Sequence, residues 1–165
     1  MLALRHSLTP LAPTLNETWR RLALGLLLFS TAGVALELFL LEHFDDVWQW
    51  TPLALLSAGA FMGASLAWRP TRAVVHALQA LMLMYLLAGA LGLYFHLNAN
   101  LEFELELRPS IGGVQLLVET LKGAMPALAP GAMVQIGLLG LLVCFRHPSL
   151  TTARPAAEES PTLEM

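Results

Sequence analysis

Three features predict an all-α integral membrane protein with four transmembrane helices. Four long segments are almost free of charge, and the chain is 56% hydrophobic with only 13% charged residues, against about a quarter charged in ordinary soluble domains. Runs of that length cannot all be hidden in one small soluble core, so a lipid environment is the economical solution. Finally, the basic residues collect in alternate connections, as they do when helices cross a membrane in succession.

The expected organisation is a cytoplasmic tail (residues 1–18), a membrane domain (19–148) and a disordered cytoplasmic tail (149–165). Pro10 and Pro13 interrupt any helix in the first tail, because proline lacks the N–H that a helix interior needs. Arg20 and Arg21 open the first span, 22–41, whose only charge is Glu37. It is longer than the apolar core of a cleaved leader, about 7–15 residues, and at about 1.5 Å per residue it matches one hydrocarbon thickness. A polar link, 42–50, then places Trp48 and Trp50 as an interfacial belt. In the second span, 53–68, Pro52 sits near the first turn, and Gly59 and Gly63 form a G-x-x-x-G pair that admits a close helix neighbour. That neighbour is either another helix of this chain or the same face of a second copy. After the basic turn at Arg69–Arg72, the third span covers 73–95, with His76 and Gln79 at its start.

An extracytoplasmic insertion, 96–126, is expected between the third and fourth spans. From Leu101 to Arg108 apolar and charged residues alternate strictly, with Glu102, Glu104, Glu106 and Arg108 on one side, and a period of two reads as an extended strand. Pro109 ends it. Val114, Leu117, Val118 and Leu121 then follow the stripe of a short helix too brief to cross, hence interfacial. Pro126, Pro130 and Gly131 break the chain before the last span, 127–145.

Charge orients the array. One side carries Arg5, Arg20, Arg21, Arg69, Arg72, Arg146 and Arg154 against four acids, a formal +3. The other carries Glu37, Glu42, Asp45, Asp46, Glu102, Glu104, Glu106 and Glu119 against Arg108 and Lys122, a formal −6. Both termini are therefore expected in the cytoplasm, in a membrane of the bacterial inner-membrane type. A second regularity hints at two related helical hairpins: Pro52, Gly59 and Pro70 recur at Pro130, Gly137 and Pro148, each 78 positions on.

Several function classes are excluded or unsupported. The single cysteine, Cys144, rules out an intramolecular disulfide and any Cys-x-x-Cys chemistry. A net charge of −3 supplies no basic patch for nucleic acid, and no nucleophile motif or phosphate-binding loop is present. No cofactor is required. Two are conceivable: a divalent metal held by His43, His96, Glu42, Asp45 and Asp46, or haem between His43 and His96, with His76 and His147 as a second axial pair. Each set equally describes interfacial histidines among solvated acids. Glu37, the one acid inside an apolar run, is a candidate for a transport path with Gln79 and His76, although little polar lies between them. The favoured expectation is a non-enzymatic accessory subunit in the bilayer. It would offer the acidic 96–122 segment to a membrane-protein partner or a second copy. The metal- or haem-binding redox protein and the small transporter are the alternatives.

Overall fold

The computed structural model describes residues 15–126 and 128–151, of which 82% are helical and none forms a strand. The helices are α1 (Leu15–Leu40), α2 (Val47–Trp68), α3 (Arg72–Leu107), α4 (Gly113–Lys122), α5 (Gly131–Cys144) and a single turn, α6 (Pro148–Thr151). Three of them, α1, α2 and α3, are long and apolar enough to cross a membrane. At 14 residues, α5 is apolar but about 21 Å long, shorter than a hydrocarbon core.

The helices α1, α2, α3 and α5 form a closed ring, each running alongside two neighbours in it. Leu27, Leu56, Leu78, Met82, Tyr85, Ile136 and Val143 fill the middle. Large apolar side chains also cover the outside, among them Phe29, Phe39, Phe61, Trp68 and Leu87. An apolar exterior of this extent fits a bilayer, where it meets hydrocarbon instead of water. Both glycines of the G-x-x-x-G pair are used inside the chain, on two different neighbours. A Cβ at Gly59 would overlap the Tyr85 hydroxyl of α3, and one at Gly63 would overlap Leu28 of α1. The space at Gly59 lets the Tyr85 hydroxyl donate to the Leu55 carbonyl at 3.0 Å.

At the basic end, the start of α1 meets the end of α5. The Arg20 guanidinium donates to the carbonyls of Val143 (2.6 Å), Phe145 (3.0 Å) and Arg146 (3.3 Å). These are carbonyls that a helix end leaves unpaired, and a cation there also complements the helix dipole. The Ser149 hydroxyl donates to the Pro70 carbonyl at 2.6 Å, so the two Arg/Pro turns of the 78-residue offset lie side by side. The first pair of the offset is not equivalent: Pro52 lies inside α2, whereas Pro130 is the residue before α5.

Four expectations need correction. The segment 101–108 is not a strand, because α3 continues through it to Leu107. Residues 96–108 contain no β-branched side chain, and Leu and Glu are good helix formers. Extending a helix that already exists also avoids the cost of nucleating one. The second helix starts at Val47, not 53, taking in Trp48 and Trp50 and putting Pro52 in its second turn. Asp46 accepts the Trp48 N–H at 2.8 Å and so caps it. Residues 15–18 belong to α1 and 149–151 to α6 instead of to tails, while the tail readings for 1–14 and 152–165 fall outside the described residues. The last apolar helix begins at Gly131, after a turn, and is not a full 127–145 span.

Candidate functional site

Because α3 has 36 residues, it outruns its neighbours. Its last three turns, from His96 on, extend about 18 Å past the apolar segment. The chain turns at 108–112, with Gly113 at φ 61°, a left-handed geometry that glycine adopts without strain. Helix α4 then packs back against α3, making a small helical head at the acidic end.

One buried side chain holds this head together. The carboxamide of Asn100, 1% exposed, donates to the Thr120 carbonyl (3.1 Å) and the Met125 carbonyl (2.8 Å), and accepts the Met125 N–H (3.0 Å). All its bonds go to backbone groups that would otherwise be stranded where α4 ends. A Cβ at Gly123 would overlap Asn100, so the glycine lets the chain close over it. Above this latch, Arg108 pairs with Glu104 one turn back and lies 3.5 Å from Glu119 of α4. The bond to Glu104 raises the Arg108 pKa, keeping its charge fixed. Below it, the His96 ring nitrogen Nδ1 stands 3.1 Å from the Pro126 carbonyl.

The acids do not share one face. On a helix, Glu102 and Glu106 lie together and outward, whereas Glu104 is turned inward and buried. Glu102 accepts from Asn98 at 2.7 Å. The apolar residues between them are left uncovered. On α3, Phe103 and Leu107 are exposed, and on α4 so are Val114 (77%), Leu117 (59%), Val118 and Leu121. Between the two helices runs a groove lined by Tyr94, Leu97, Leu101, Leu116 and Leu117, with the Thr120 hydroxyl buried at its edge and unpartnered.

Among the described residues no three of His, Cys, Asp and Glu form a cluster suited to a metal ion, so the residues proposed as metal ligands are not brought together as a set. Most are occupied with local structure. Glu42 (φ 51°) and His43 close α1, their N–H groups reaching back to the carbonyls of Phe39 (3.1 Å) and Leu38 (2.9 Å). This is the pairing of a Schellman cap. The Asp45 N–H donates to Gln49 at 2.9 Å, and Asp46 caps α2. At the basic end, His76 bonds Gln79 (3.1 Å), and His147 accepts the Ser149 N–H (3.2 Å). Glu37 is near the far end of α1, in a groove between α1 and α5, about 25 Å from the Arg20 level. The structure therefore does not join it to His76 and Gln79. Asn100 stands out neither by charge nor by motif in the sequence. Its one sequence signal is helical: with Leu97, Leu101 and Glu104 it shares a face, which a period of two conceals.

The fold and surface define a helical protein with the length and apolarity of an integral membrane protein. Comparison with protein-family models, with characterised proteins and with solved structures returned no match, so no relative supplies an activity.

Proposed function

We propose that this protein is a non-enzymatic accessory subunit of a membrane assembly, and that the α3–α4 head is its docking surface. The observation that carries this reading is the uncovered apolar stripe of the head, Phe103, Leu107, Val114, Leu117, Val118 and Leu121, rimmed by the outward acids Glu102 and Glu106. The Asn100 latch holds the head in one shape, and a surface formed in advance loses less entropy on binding. An apolar centre with a charged rim is the anatomy of a protein interface, and the acids select a partner with basic residues around an apolar contact. In this reading α5 crosses as a shortened fourth span, with the basic end in the cytoplasm and the head outside, in a bacterial inner membrane.

The test is quantitative isolation of the tagged full chain from its native membrane, beside Leu117→Ser and Val118→Ser. A stoichiometric partner retained by the parent and lost from both variants, with helix content unchanged, is the expected result. A partner set indifferent to both substitutions sinks the docking surface. Bound metal or a Soret band in the purified parent would replace this reading with the redox one.

A further inference from the structure

The membrane-embedded part of the molecule has its own unmet requirement, independent of the head. Most polar side chains inside the apolar helices are satisfied within the chain. Ser57 and Ser65 donate to carbonyls one turn back (2.8 Å each), and Tyr85 donates to Leu55 and bonds Thr31. Three are not. Ser30 and Glu37 of α1 and Gln135 of α5 have no side-chain hydrogen bond among the described residues, and all three line the same groove of about 410 Å³ between α1 and α5. Leu26, Gly33, Ile136 and Leu139 are among its apolar walls. Hydrocarbon cannot satisfy a carboxylate, an amide or a hydroxyl, and each left bare there costs free energy.

The groove has the form of a seat for a helix. Its α1 wall, Leu26–Ser30–Gly33–Glu37, recurs at three- and four-residue intervals over about 16 Å. Gly33 has nothing within 4 Å of where a Cβ would stand, so a foreign backbone can approach closely. It is open along its length, with Leu26, Phe29, Glu37 and Gln135 all exposed, whereas a small-molecule site encloses most of its ligand.

The hydrogen-bonding groups are complementary to one another. Glu37 offers only acceptors when ionised, Ser30 a donor, and Gln135 both donors and an acceptor. Because α1 and α5 run antiparallel, the outer end of α5 lies level with Glu37, and Gln135 is about one turn deeper. No Lys or Arg lies within 22–40 or 131–144, so a second copy brings amides and hydroxyls to Glu37, not a cation. We propose that the α1/α5 groove is the seam of a homodimer of this chain, in which Glu37 of each copy accepts hydrogen bonds from Gln135 of the other and the two Ser30 hydroxyls meet across the seam. A two-fold axis along the membrane normal would let both copies make the same contacts.

Single-cysteine cross-linking of the full chain in lipid vesicles tests this. Cys144 is fully buried and stays in place, so the unsubstituted chain sets the background. Ser30→Cys and Gly33→Cys should give a disulfide-linked dimer, and Leu87→Cys, exposed on α3, should not. Glu37→Leu and Gln135→Leu should each weaken self-association, read by subunit counting in vesicles, by about ten-fold. Glu37→Gln, which retains a hydrogen-bonding side chain, should recover part of the loss. Equal cross-linking at positions 30, 33 and 87, or a chain that stays monomeric at high protein-to-lipid ratio, overturns the proposal. So does association undiminished in both leucine variants, which would mean that lipid alone meets the groove. A dimer that forms only with a second membrane protein occupying the groove overturns it as well, in favour of a heterologous helix.

Discussion

The two ends of the bundle are closed by opposite chemistry. At the basic end a charged side chain does the closing: Arg20 gathers three carbonyls where α5 stops, and Ser149 ties α6 to the α2–α3 turn. At the acidic end a neutral side chain, Asn100, makes the corresponding three bonds, and Glu102 and Glu106 are left facing outward. A cation suits a helix C-terminus, whose free carbonyls and dipole attract it. The loop after α4 presents both carbonyls and an N–H, and a carboxamide can answer both. One end is closed by a charge, Arg20, and the other by an uncharged amide that leaves Glu102 and Glu106 on the outside.

The largest effect expected from breaking this contrast is at Asn100. Asn100→Leu removes three hydrogen bonds and strands the Met125 N–H and two carbonyls, at about 1 kcal/mol for each bond. The head should loosen by about 3 kcal/mol, seen as faster amide exchange across 113–125, while exchange in α2 is unchanged. If exchange in α4 does not respond, the latch is misassigned. Arg20→Gln comes next. It should lower the stability of the whole bundle by about 2 kcal/mol, because α1 and α5 are both released; thermal unfolding in detergent micelles would detect it, and an unmoved midpoint would deny the clasp.

A smaller, pH-dependent effect belongs to the same end. Burial, and secondarily the Arg20 charge, hold the His147 imidazole below its ordinary value of 6.5. The folded protein thus favours neutral His147, and the unfolded chain binds the extra proton more readily. The stability this provides is complete above 6.5 and is lost as pH falls through the lowered value. Unfolding midpoints should therefore drop more steeply with falling pH between 6.5 and the lowered value in the parent than in His147→Gln. Smallest of all is Arg108→Gln at the head. Arg108 is solvent-screened, so the midpoint should hardly move, and any change should vanish in high salt. A large salt-insensitive loss would mean that the ion pair with Glu104 and Glu119, not Asn100, holds the head.

Much of this arrangement was legible in the residues. The apolar segments, the short α4 and the sorting of bases from acids need only composition and spacing. The end of α3 was not legible, because Leu-Glu alternation is compatible with both a strand and a helix. Leu101 and Leu105 stand one turn apart as readily as on one side of a pleat. What decides is the long helix already running into the segment. The proposed metal ligands do not converge for a related reason: acids and histidines crowd into connections because helix ends need caps there, and proximity in sequence says nothing about convergence. Ser30 and Gln135 carried little sequence signal, since each is an uncharged polar residue in a mostly apolar run.

What the sequence determined by itself is the apolar length of the helices and the separation of basic from acidic ends: both are sums over residues, insensitive to how helices pair. Which faces pair was decided only by tertiary structure. Gly59 and Gly63 could have met a second copy, yet they are filled by Tyr85 and Leu28, and the unmet groups lie instead on α1 and α5. Packing resolves this because a helix face is satisfied by whatever reaches it first within the chain, and only the complete ring shows which face is left over.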